Sequence, residues 1–173
     1  LRAPVARPVT TGYVAPYADV DLSGGDLLPG RGAELVRRWR VAIAAELVGL
    51  LAPALELTTT YLSERTQFGT PIGALQAVQH RLAEAYVWVE AARWSARSAA
   101  WHDTAEAAAS AATYAAMATR LVAFDCHQLH GAIGFTAEYD LHLWTMRAQA
   151  LRTELGGISG HATATARSRW GGA

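Results

Sequence analysis

The stretch Tyr61–Gln79, YLSERTQFGTPIGALQAVQ, constrains this chain more than any other. An apolar helical segment runs into it and breaks at Gly69, Pro71 and Gly73, and a second helical segment follows at once. The break groups Arg65, Gln67, Thr70 and Gln76 around one compact turn. Arg65 is a permanent cation whose planar fork matches a pair of phosphate oxygens. Phe68 offers a flat apolar face, and Gln76 both donates and accepts. These groups suit a nucleotide diphosphate. The alternative is that Arg65 complements a helix C-terminus and Gly69 is an ordinary helix-ending glycine.

Helical periodicity covers most of the chain after residue 32. Val36, Trp39/Arg40, Ile43, Leu47, Leu50/Leu51 and Leu55 recur at three and four, and Tyr61/Leu62 extend that face. Pro53 lies within this first helix and should bend it, unless the helix is really two. Arg37, Arg38 and Arg40 crowd its first turns, where a positive helix end disfavours them; either an anion or carboxylate compensates, or the face is simply solvated. A second helix is expected from about Ile72 to Trp101, with Leu75, Val78, Leu82, Tyr86 and Val89 inward. Trp88, Trp94 and Trp101 fall off that face, which implies a second buried surface, a subunit contact. Asp103 and Glu106 form a variant capping box for a third helix, whose expected face is Tyr114, Met117, Leu121, Phe124 and Gln128. Gly131 and Gly134 end it. Thr136 is the candidate N-cap of a fourth helix carrying Leu141, Trp144, Ala148 and Leu151; Gly156-Gly157 interrupts, and a short helix runs over 159–169. The expectation is an all-α antiparallel four-helix bundle over residues 33–173 with no strand after residue 32.

Residues 1–32 differ. They hold four of the six prolines and five glycines, with Gly24-Gly25 and Pro29-Gly30 as turns and one strand within Val14–Leu22. A lone strand leaves its edges open, so this stub is expected to be mobile or paired with another chain. A formal net charge of zero gives no field to attract nucleic acid or an anionic membrane. No apolar run approaches the ~20 residues of a membrane span. The single Cys126 excludes an internal disulfide, and cytoplasm is the default location. His127 and His130 stand at i, i+3, but Asp125 and Cys126 project elsewhere and no Glu-x-x-His pair occurs, so no metal is expected.

The spacing R-x-x-F-G-x-x-I-x-x-x-Q from Arg65 to Gln76 resembles the opening of the C-terminal helical domain of flavin-dependent acyl-CoA dehydrogenases. The block Gln128 to Tyr139, QLHGAIGFTAEY, resembles the same family's Q-x-x-G-G-x-G-[FY]-x-x-E-[YH] at the separation the family requires, and is similar to actinobacterial members, including subunits of heteromeric steroid-side-chain dehydrogenases. The resemblance implies that residues 1–32 are a remnant of a middle β domain or a linker. It implies FAD as cofactor, with Arg65, Phe68, Gln76, Gln128, Gly131 and Ala132 against its dinucleotide half, often across a subunit boundary. Ala132 stands where the family has a second glycine, so a methyl meets the ligand.

The resemblance also implies α,β-dehydrogenation of an acyl-CoA, which needs a carboxylate to take the α-proton. The family places it at one of two positions. Aligned to this chain they are Leu155, before Gly156, and Trp39, before Arg40; neither is acidic. Glu154, one residue from the first, is the remaining catalytic candidate, and Arg40 is a candidate substrate contact. The expectation is a domain contributing FAD binding and subunit interfaces to a homo- or hetero-oligomer that acts on acyl-CoA, inactive alone. The alternative is a non-catalytic scaffold stabilising a catalytic dehydrogenase partner.

Overall fold

The structure is a computed structural model that describes residues 6–11, 17–23 and 29–171. Two strands, β1 (Ala6–Val9) and β2 (Tyr17–Val20), precede the first helix α1 (Gly32–Glu64). A two-residue pair follows, β3 (Thr66–Gln67) and β4 (Thr70–Pro71), then a 3-10 turn at Ile72–Ala74 and helix α2 (Gln76–His102). Helix α3 (Ala105–His130) leads through a 3-10 turn at Gly131–Phe135 to α4 (Leu141–Leu151), and a last 3-10 turn at Glu154–Gly156 leads to α5 (Gly157–Trp170).

The helical bundle forms as the periodicity dictates. Ile43, Leu47, Leu51, Leu55 and Leu62 of α1 are buried at three- and four-residue spacing. They pack against α2, α3 and α4, while α3 packs on α1, α2 and α5 at once. Helix α1 runs unbroken through Pro53, so it is one helix and not two. It is also long and apolar enough to cross a membrane by length and composition, although Glu46 and Glu56 interrupt its apolar run. Glu46 is held by Arg147 of α4 at 2.6 Å, and the apolar face is consumed by the bundle core.

Helix α3 corrects the expected inner face. Its buried residues are alanines (Ala108, Ala111, Ala112, Ala115, Ala118) with Thr119, Val122 and Cys126. Met117, Leu121 and Phe124 instead face outward, Phe124 being 63% exposed. A helix contacted by three others must let their backbones come close, and alanine permits that where leucine does not. Trp88 is also corrected: it lies partly buried against the core, 5.1 Å from Tyr114. Trp94 and Trp101 remain 63% and 86% exposed.

Several boundaries move for local reasons. Helix α2 starts at Gln76 rather than Ile72, because Leu75 is extended and Gly73 lies against the end of α1, where a Cβ would sit 3.1 Å from the Leu62 carbonyl oxygen. Thr104, not Asp103, caps α3: its hydroxyl accepts from the Ala107 N–H at 3.1 Å. Asp103 ends α2 in a left-handed conformation. Thr136 does not cap α4 either; its hydroxyl donates to the Ile133 carbonyl at 2.9 Å, and Asp140 precedes the helix. The N-terminal strand is half of an antiparallel pair, with Ala6 opposite Val20 and Val9 opposite Tyr17, so its partner comes from this chain. Val14 and the Gly24-Gly25 turn lie outside the described residues. The β3–β4 pair is a strand element after residue 32 that periodicity had no means to show, since each strand is two residues long.

Candidate functional site

Helices α1 and α3 run the same way, so their C-termini meet at one end of the bundle. Tyr61, one turn before Arg65, stacks on His130 at 4.6 Å and meets Tyr139 edge-on at 5.6 Å. This aromatic contact fastens the first motif to the second. Arg65 ends α1, its N–H bonded to the Tyr61 carbonyl at 2.9 Å, and its own carbonyl accepts from the Ile72 N–H at 2.8 Å. Between them the chain makes a two-residue hairpin turn in which Phe68 and Gly69 both take positive φ, 54° and 78°, as turns of this hand require. Phe68 is at the tip and 94% exposed.

Gln76 opens α2, and Gln128 lies two residues before the end of α3; both are exposed. Gly131 ends α3 at φ 64°, and Ala132 follows with its side chain exposed. Gly134 is fixed by space, since a Cβ there would come within 2.7 Å of the His130 Cβ. The six residues singled out for dinucleotide binding therefore share one end of the bundle and are all solvent-facing. Periodicity places Tyr61 only on the apolar face of α1; its aromatic ring one turn before Arg65 is the signal in the sequence for this contact.

Beneath this end the polar groups are shut in. The Nδ1–H of His130 donates to the Cys126 carbonyl at 2.8 Å, which leaves Nε2 as a buried acceptor with no partner. Burial holds the Cys126 thiol up at about 11, so it stays protonated and unreactive. No group of three potential metal ligands occurs among the described residues.

The other end holds the remaining candidates. Trp39 donates its indole N–H to the Glu154 carboxylate at 2.8 Å, and the Tyr17 hydroxyl donates to the second oxygen at 3.3 Å. Trp39 and Leu155, the two positions that align with the family's carboxylate, are thus brought together, and the Glu154 carboxylate beside them accepts from two donors. Burial first, and then the Glu154 charge, push the Tyr17 hydroxyl above its ordinary range. Leu155 takes a left-handed φ of 51°. Of the crowded arginines, Arg37 is paired with Asp103, and Arg38 with Glu34 at 2.7 Å. Arg40 has a buried Nε without a partner, and desolvation lowers its pKa. It lines a cleft of about 640 Å³ with Ser159, Thr163, Arg167 and Ser168, a set of cations and hydroxyls able to hold an anion.

The model of the C-terminal domain of acyl-CoA dehydrogenases matches residues 34–167. The chain belongs to the acyl-CoA dehydrogenase family. It is 42% identical over 108 residues to the acyl-CoA dehydrogenase IpdE2 of Mycobacterium tuberculosis, covering 62% of this chain and 34% of that protein. It is 37% identical over 161 residues to FadE34 of the same organism, covering 89% of this chain and 21% of that protein. Among solved structures, a Tcur3481–Tcur3483 steroid acyl-CoA dehydrogenase variant superposes with a TM-score of 0.89 at 30% identity, over 98% of this chain and 49% of that one. The ChsE4–ChsE5 complex of Mycobacterium tuberculosis gives 0.86 at 26%, over 95% and 48%. This acyl-CoA dehydrogenase domain thus spans about a third of IpdE2 and a smaller share of FadE34.

Two buried histidines, His130 and His161, and the half-buried His127 give the domain a pH dependence. Desolvation is the first cause lowering His127, His130 and His161 from an ordinary 6.5. The unfolded chain then binds protons that the folded chain refuses, so stability is complete above about pH 6.5 and is lost as pH falls below it. The unfolding midpoint is expected to be flat above pH 7 and to drop steadily toward pH 5. A midpoint that rises on acidification to pH 5 contradicts this.

Proposed function

We propose that this chain is the helical domain through which an acyl-CoA dehydrogenase assembly holds the dinucleotide half of FAD, and that it also carries subunit contacts of that assembly. The observation that supports this best is Phe68. An aromatic ring almost wholly in water, on a residue whose left-handed backbone costs it about 1–2 kcal/mol, is doubly unfavourable in the isolated domain. Such an outlier points to a ligand or partner that covers it. The surrounding residues fit the cofactor: Arg65 toward phosphate, Phe68 toward the adenine face, and Gln76, Gln128 and the backbone at Gly131 and Ala132 toward polar edges. When bound, FAD supplies the hydride acceptor for α,β-dehydrogenation.

Trp39 and Glu64 are 25 residues apart on one continuous helix, about 38 Å at 1.5 Å per residue. The cleft at Arg40 and the hairpin end therefore serve different parts of an assembly. Arg40 and Arg167 suit the anionic portion of acyl-CoA, and the exposed Trp94, Trp101, Met117, Leu121 and Phe124 supply the interfaces, homo- or hetero-oligomeric. Residues 1–32 fit the edge of a preceding β domain. The second reading, a scaffold beside a catalytic subunit, is favoured by Trp39 and Leu155 standing in place of acids and by the engagement of Glu154.

Phe68→Asn tests the first reading. Asparagine accepts positive φ and water, so the isolated domain should gain up to about 1 kcal/mol. Flavin occupancy of the assembled protein, read from the visible absorbance of the purified complex at subsaturating FAD, should fall roughly fivefold or more with the loss of a stacking face. Unchanged occupancy in the variant would remove the hairpin from the cofactor site and leave the scaffold reading.

A further inference from the structure

The pair β1–β2 lies almost bare on the bundle. Every residue of the two strands is exposed except Tyr17, which is half-buried. Its hydroxyl reaches Glu154 at 3.3 Å, across 137 residues of sequence. Glu154 cannot swing freely, because its other oxygen accepts the Trp39 indole N–H at 2.8 Å. The carboxylate therefore bridges three segments: the strand pair, the first turns of α1 and the turn between α4 and α5. That turn aims it through three consecutive positive-φ residues, Leu155 (51°), Gly156 (86°) and Gly157 (60°), a backbone course that only a tight reversal needs.

We propose that Trp39, Glu154 and Tyr17 form a polar clasp that fastens the strand pair to the end of the helical bundle, with Glu154 as the shared acceptor and Trp39 as the residue that positions it. The strand pair has no other half-buried side chain in its strands to anchor it, and a two-stranded pair has little stability of its own. Tyr17 is therefore the side chain of the two strands through which the clasp holds the pair to the bundle. Whatever draws the carboxylate away, whether a substrate group or a partner's cation, releases the strand pair at the same time.

Chymotryptic cleavage of the bond after residue 17, measured by mass spectrometry on the full chain at trace protease, reports the undocked population. Tyr17→Phe keeps a cleavable aromatic and removes one oxygen, so loss of fold cannot account for its effect. Tyr17→Phe, Glu154→Ala and Trp39→Phe should each speed this cleavage roughly three- to tenfold, the range for one hydrogen bond. Trp39→Phe should add nothing in the Glu154→Ala background, because it acts only through that carboxylate. Equal cleavage rates in the parent and Tyr17→Phe would overturn the clasp. So would a Trp39→Phe effect of the same size with and without Glu154.

Discussion

Arg65→Ala is expected to weaken retention of flavin dinucleotide by the assembled protein roughly 10- to 100-fold while leaving the domain's own stability within about 0.5 kcal/mol of the parent. The two effects separate because of where Arg65 sits. Its side chain is exposed, and no ion pair among the described residues involves it. Its backbone closes α1 and receives the Ile72 N–H, and both contacts survive substitution. A guanidinium in that position contributes to the fold only weakly, whereas charge-assisted bonds to phosphate are strong and are lost outright. Arg65→Lys keeps the charge without the planar fork and should recover only part of the retention. Equilibrium dialysis against free FAD, run beside thermal unfolding of each variant, reads both quantities. Equal flavin affinity in Arg65→Ala and parent would exclude Arg65 from the site.

How far the sequence carries this molecule depends on what each residue type discriminates. Leucines and isoleucines at helical spacing located the inner face of α1, because a large apolar side chain has few alternatives to burial. In α3 the same rule selected Met117, Leu121 and Phe124, which face outward. Alanine is as common inside as at a helix surface, so the stripe that makes the close contacts carries no strong signal of its own. The hairpin carrying Phe68 was legible only as a break at glycines and proline; four strand residues are too few to show a period of two. Arg65 and His130 are far apart in sequence, and nothing in either motif states that Tyr61 joins them. The bond from Trp39 to Glu154 was equally out of reach, spanning 115 residues. Trp39 and Leu155 each stand where the family has an acid, and only the fold makes them neighbours.

That neighbourhood governs the second large effect. If the assembly abstracts an α-proton from acyl-CoA, the base is either Glu154 or a carboxylate from a partner subunit. Glu154 is held by two donors, Trp39 at 2.8 Å and Tyr17 at 3.3 Å, so reaching a substrate α-carbon would require it to leave both. Leu155 follows it in a left-handed conformation (φ 51°), so the backbone reverses between the two residues and a carboxylate at 154 does not stand in for one at 155. Glu154→Gln should therefore leave turnover of the flavin-loaded assembly within about twofold of the parent. Leu155→Glu places a carboxylate at the neighbouring position on an unchanged backbone, since leucine and glutamate bear a similar cost at positive φ. It should raise exchange of the acyl-CoA α-proton with deuterated solvent by at least ~10²-fold, the lower end of what a general base supplies. Proton exchange needs no electron transfer, so it is read independently of flavin occupancy. A fall of 10²-fold or more in turnover for Glu154→Gln at unchanged flavin content would assign the base to Glu154 and reverse this reading of the chain. No gain in exchange for Leu155→Glu would show that position 155 does not face a substrate.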